Sequence, residues 1–336
     1  MNFLLQPFVS LTLTYHIPYV WAFFIWYAIQ FLAIAILMLA FAVVYAVFEV
    51  KITSKLSGEK NPQTSAISAI KSIFKNNETE YSDKFSARFT PLFTIVPIIF
   101  VWFLMPFSSS FLTVRTDVGM LLFFALMLFP IVGNLFNSIS ANDKYQKINE
   151  LRSCIQSTLF VVPTMLVLAG VSVLANSFSL QYIVVAQKNL WFIIPSLLGF
   201  AVMIISTFAI LNKKPLNALS NSISPLINFA KHIKAFILCA FTATLFLGGY
   251  LSPLPVMICD LFDKTTMAYQ FALNFEQAFW LILKTFVLLL AIIKIKVSIP
   301  KIRTENVNIF VWKYLLPLSI INLMIVCLIK CGGFYA

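Results

Sequence analysis

The residues of this chain whose types could do chemistry are few and far apart. Lys284 stands inside the apolar run FWLILKTFVLLL, and Glu276 lies eight residues earlier. An ionised side chain in hydrocarbon is costly and marks either a functional site or a structural pair. Eight residues are roughly two turns, about 12 Å along a straight helix, so these two cannot pair directly. Lys284 is left with snorkelling, a tie to backbone carbonyls of another helix, or a place in a charge-transfer path. Glu49 ends an apolar run just before Lys51, as a boundary residue at the headgroups or as a working carboxylate. His16 and His232 are isolated and read as solvated interfacial residues. The cysteines, Cys154, Cys239, Cys259, Cys327 and Cys331, form no CxxC pair and lie mostly in apolar runs. There they behave as small hydrophobes rather than as a metal or cluster site. No phosphate-binding loop, dinucleotide fingerprint, zinc-helix motif or nucleophile triad is present. The expectation is no catalytic residue, no metal, and no flavin, haem or iron–sulfur cluster bound by this chain.

The elements that must position these residues are membrane spans. Of 336 residues, 60% are hydrophobic and only 11% charged, against roughly 45–50% and about 25% in soluble domains. The apolar runs are continuous, without strand-type alternation, which favours helices over a barrel. Eight spans are expected at about 20–48, 90–107, 118–140, 155–176, 189–211, 235–257, 273–296 and 313–330. No internal repeat is visible, which argues against a free-standing transporter built on inverted repeats. The net charge of +12 does not indicate nucleic acid, because the cations sit in short loops beside the spans. Nineteen of the 24 lysines and arginines fall in the first, third, fifth and seventh loops; Arg115, Lys188, Lys264 and Lys330 fall on the other side. The positive-inside rule then places the basic loops inside and both termini outside. The N-terminus has no basic leader region or small-residue cleavage site and is expected to be retained. Residues 61–77 read as a short amphipathic helix, lying on the bilayer or roofing a ligand chamber.

With the loops in place, several stretches resemble one family in order along the chain. They are Lys296, Pro300, Lys301, Arg303 and Glu305, followed by Trp312, Lys313, Leu315, Leu316, Pro317, Leu318, Asn322 and Leu323. TATLFLGGY (242–250), Lys284 in its run, NDKYQKINELRSCIQS (142–157), Glu49 with Lys51, and Lys71 with Lys75 before SDKFSARFTP add to the pattern. The chain is similar to the H-type membrane subunit of NADH-quinone oxidoreductase, the family of mitochondrial complex I subunit 1, whose relatives include the membrane subunit of energy-converting hydrogenases. The resemblance implies an all-α integral membrane protein of about eight spans plus the amphipathic helix, forming a single polytopic domain over 1–336. It implies that inward loops pack on a hydrophilic arm and roof a quinone chamber, with Glu49, Lys51, Lys71, Arg152, Lys301 and Arg303 facing that cavity or partner subunits. Quinone would be the substrate, other complex I-type subunits and the bilayer the partners, and redox centres would belong to those partners. The location would be a bacterial inner membrane, or an organellar inner membrane.

The departures concern acids. The family's glutamate after the Ser-Tyr of span four falls on Val161, and its Glu-Tyr pair before the span-six motif falls on Lys231 and His232. Its acid-rich inward loop becomes PLNALSNSIS (215–224), and its glycine-rich first loop becomes LSGEKNPQTS. The family's arginine between Glu49 and Lys51 is Val50. The expectation is a divergent subunit with a degenerate proton path; the alternatives are a scaffold paralogue that only anchors partners, or a subunit of a hydrogenase-type complex.

Overall fold

The computed structural model describes residues 40, 43–44, 47–48, 84–109, 116–140, 144–211, 225–253, 267–298 and 304–332. Every regular element among them is helical: α1 (Lys84–Leu104), α2 (Gly119–Ser140), α3 (Lys144–Leu159), α4 (Val161–Ala175), α5 (Leu180–Ala186), α6 (Leu197–Leu211), α7 (Pro225–Phe246), α8 (Met267–Ser298), α9 (Thr304–Phe310), a π turn (Val311–Leu315) and α10 (Leu316–Cys331). Four stretches are long and apolar enough to cross a bilayer: Gly119–Phe136, Glu150–Ala175, Ala272–Lys296 and Asn306–Cys331. Their outer faces carry Leu121, Phe129, Phe275, Val287, Met324 and Leu328 exposed, which suits hydrocarbon as the solvent. The chain is an all-helical membrane protein. The first expected span lies almost wholly outside the described residues, and the helix expected at 61–77 lies outside them entirely.

Three expected spans differ in their bounds, each for a backbone reason. The span expected at 155–176 is two helices in line, interrupted at Phe160. Pro163 has no N–H to give to Leu159, so the ladder breaks there, and the Thr164 hydroxyl donates to the carbonyls of Phe160 (2.9 Å) and Val161 (2.8 Å). The span expected at 189–211 is helical only over the 15 residues of α6, about 22 Å. Residues 187–196 are turns before it, with Ile194 N–H bonded to the Trp191 carbonyl at 3.2 Å. The span expected at 235–257 starts ten residues sooner, at Pro225, and stops at Phe246, because Gly248 and Gly249 take φ of 74° and 48°.

The core is aromatic and close-packed. Phe123 stacks on Phe241 with ring centres 3.7 Å apart, and Trp102 stacks on Phe236 at 5.5 Å. These join α1, α2 and α7. Small residues allow close helix approach, as membrane packing requires: a Cβ on Gly133 of α2 would meet Thr94 Cγ2 of α1 at 2.6 Å. With no water in the core, buried hydroxyls turn back on their own helices, as Thr94, Thr242 and Thr285 do. In the π turn the Leu316 N–H reaches back to the Val311 carbonyl. Val311 and Leu315 are buried, while Trp312, Lys313 and Tyr314 project outward.

Candidate functional site

The buried polar centre of the molecule forms where α7 ends inside the apolar core. A helix end leaves carbonyls without intrahelical donors, and in hydrocarbon each must be met by protein. Here the partners can be named one by one. The Ala243 carbonyl accepts from the N–H groups of Leu247 and Gly249, both at 3.0 Å. The Phe246 carbonyl accepts from Ile193 N–H at 3.1 Å, and the Gly248 carbonyl from Leu251 N–H at 2.9 Å. Gln187, fully buried, bridges the break. Its Nε2 donates to the carbonyls of Ile183 (3.2 Å) and Thr244 (3.0 Å), and its Oε1 accepts from Gly248 N–H at 2.8 Å.

Lys284 meets three further carbonyls. Its Nζ donates to the carbonyls of Leu247 (2.6 Å), Gly249 (3.0 Å) and Leu251 (2.6 Å). An ammonium has three N–H groups, and all three are spent. The charge also lies 4.8 Å from the centre of the Trp191 ring, a cation–π contact worth up to about 2 kcal/mol when desolvated. Burying an ammonium costs several kcal/mol; charge-assisted bonds to three convergent carbonyls offset that. Both glycines are required by position. Gly248 and Gly249 are left-handed, a Cβ on Gly248 would lie 3.2 Å from Trp191 Nε1, and one on Gly249 would lie 3.0 Å from Val184 Cγ2. Of the readings open for Lys284, the described geometry is the tie to another helix's carbonyls.

A second amide holds the start of α6. Asn322 of α10 accepts through Oδ1 from Gly199 N–H (2.9 Å) and Ser196 Oγ (3.2 Å). Toward the other end of α8, Ser108 Oγ donates to Asn274 Oδ1 (2.8 Å), and Ser109 N–H donates to Gln277 Oε1 (2.7 Å). Glu276 is buried beside them.

The remaining sequence candidates fall elsewhere. Arg152 lies exposed on α3, with Lys144 and Lys147 on the same helix. Glu49, Lys51, Lys71, Lys301 and Arg303 lie outside the described residues, as does the 215–224 loop. Val161 lines a slot bounded by α2, α3, α4, α6 and α7, and the charged side chain on its described wall is Lys234; no carboxylate appears on that wall. Lys231, one turn from Lys234, is within electrostatic reach of Glu150 on α3 and Lys296 on α8. Among the described residues, no cluster of three or more His, Cys, Asp or Glu could hold a metal. Gln187 was not singled out from the sequence, since a lone amide between apolar runs looks like any loop residue.

Comparison with known proteins covers nearly the whole chain. The family described as NADH dehydrogenase matches residues 21–223 and 220–327. The H-type NADH-quinone oxidoreductase subunit of Brevibacillus brevis is 26% identical over 334 residues, covering 92% of this chain and 94% of that one. Its counterpart of the same name in Anoxybacillus flavithermus is 28% identical over 261 residues, covering 71% of this chain and 73% of that one. The one from Dehalococcoides mccartyi is 28% identical over 273 residues, covering 76% and 71%.

Proposed function

Because the chain belongs to the NADH dehydrogenase family, we propose that it is the H-type membrane subunit of a complex I-type NADH:quinone oxidoreductase. It works within an assembly of other membrane and peripheral-arm subunits, contributes to a quinone-facing cavity, and couples the arm to the membrane. The observation that carries this reading is likeness to a named H-type subunit over nine-tenths of the chain, and to two others over about seven-tenths or more. Quinone, an apolar tail with a polar head, suits an apolar membrane tunnel. The eight-span topology, with basic inward loops and both termini outside, belongs to the same proposal, as does location in a bacterial inner membrane. Glu49, Lys51, Lys71, Arg152, Lys301 and Arg303 are the proposed cavity- or partner-facing residues.

The proton path is the part of that function this chain is least equipped to perform. A relay needs groups that take and release a proton near neutral pH, which burial can tune in carboxylates but not in valine or serine. The slot lined by Val161 carries hydroxyls and Lys234 where such a path would want acids. This observation favours a second reading, a subunit kept as membrane scaffold. Affinity purification in mild detergent tests both. Co-purification of complex I-type subunits with NADH:quinone reductase activity supports the first reading, and partners without activity support the second. A chain that purifies alone overturns both.

A further inference from the structure

The slot beside Val161 is built for more than packing. It runs along four helices for similar lengths: Lys234 to Phe241 on α7, Val161 to Leu168 on α4, Met203 to Ile210 on α6, and Phe123 to Ile131 on α2. Each interval is about seven or eight residues, about 10–12 Å of helix, so the walls enclose a narrow channel lying parallel to the helices. The walls are apolar side chains with a few hydroxyls. Most hydroxyls are already committed to their own helices, those of Ser157, Thr164 and Thr207 at 2.8–2.9 Å. Ser206 is different: its Oγ is fully buried on the slot wall with no hydrogen-bond partner among the described residues. Lys234 stands at one end with no described hydrogen bond or ion pair, and the nearby carboxylate, Glu150, acts on Lys231 instead.

An ammonium at the end of an apolar slot and a hydroxyl in the wall, neither with a partner among the described residues, are complementary to one kind of molecule. We infer that the slot binds a single-chain anionic amphiphile, a fatty-acid carboxylate, with its head at Lys234 and its tail along α4, α6 and α7. A narrow slot favours one chain over the two of a phospholipid. A second apolar groove adjoins the slot. This shallow apolar groove between α2, α3 and the π turn, lined by Leu135, Ile155, Val162 and Trp312, shares Ile131 with the slot. Ile131 is therefore the side chain that would have to move for a tail to pass from lipid to slot. None of this depends on the complex I reading.

The test uses the full chain in phosphatidylcholine vesicles and a dodecanoate carrying a photoreactive diazirine in mid-chain. Labelling is expected on peptides containing Met127 or Met203, displaced by dodecanoate but not by dodecanol, inorganic phosphate or phosphatidylglycerol. Lys234→Met should lower labelling about thirtyfold or more, the low end of what removing one partner of a desolvated charge pair costs. Lys234→Arg should keep most of the labelling, which separates loss of charge from loss of fold. Equal labelling of Lys234→Met, loss in Lys234→Arg as well, or displacement by dodecanol would overturn the inference. So would displacement by phosphatidylglycerol, or labelling confined to lipid-facing residues such as Phe129.

Discussion

Lys284 shows what a single residue type can and cannot announce. Its cost was legible in the sequence, because a charge in the middle of FWLILKTFVLLL needs an explanation. Its partners were not, because they are backbone carbonyls exposed by a helix end that composition does not reveal. The geometry leads to a prediction that separates structure from ion transfer. Lys284→Met leaves the carbonyls of Leu247, Gly249 and Leu251 without their donor. Each unmet buried acceptor costs about 1–3 kcal/mol, so a loss of several kcal/mol is expected, read as a lowered Tm in detergent and a reduced yield of assembled complex. Lys284→Arg should fall between, since a planar guanidinium fork cannot converge on three oxygens as an ammonium does. Unchanged melting with lost proton uptake in Lys284→Met would place the lysine in an ion path instead.

At the scale of elements, the helices end where dihedral angles and hydrogen bonds dictate, and hydropathy is blind to both. The run around LFLGGYLSP is apolar enough to read as one span through to residue 257, yet α7 stops at Phe246. Gly248 and Gly249 carried that information, but a glycine pair inside a span reads equally well as close packing. The same blindness hid the turns before α6, because Trp191, Phe192 and Ile193 are as apolar as the helix that follows. α2 and α8 lack such interruptions, and their expected positions lie close to those observed. The break should be as sensitive as any packed core. Gln187→Leu orphans the Gly248 N–H and the Thr244 carbonyl, which predicts a loss of about 2–6 kcal/mol at about 1–3 kcal/mol each. Gly249→Ala forces an L-residue into a left-handed conformation, costing about 1–2 kcal/mol, and pushes Cβ to 3.0 Å from Val184. Thermal unfolding in detergent, followed by circular dichroism, should rank Gln187→Leu below Gly249→Ala and both below wild type.

For the whole molecule, the predictions concern sidedness and coupling. Cysteines placed at Lys60 and Lys214 should resist an impermeant reagent applied outside intact cells, while one at Lys188 should react; labelling of the first two would reverse the orientation. Lys301→Glu combined with Arg303→Glu should weaken assembly on a native gel while the chain still inserts, as expected of a loop that meets partner subunits. In sealed vesicles with donor and quinone, the assembled complex is expected to transfer electrons with proton uptake well below its relatives' ratio, given the acid-free wall beside Val161. Normal uptake would show that a partner supplies the missing carboxylates. The π turn bears on how such an assembly could change over time. It is a helix carrying one residue too many, and one residue is about 100° of helical rotation. Below it, Asn322 pins α10 to the start of α6. Above it, no such side-chain tie is described for α9. Deleting Tyr314 should therefore leave α10 in register while rotating α9 relative to it by about a quarter turn. A single codon gained or lost would thus re-aim the exposed Ile309 and Phe310 of α9 and take Val307 out of its place against the core.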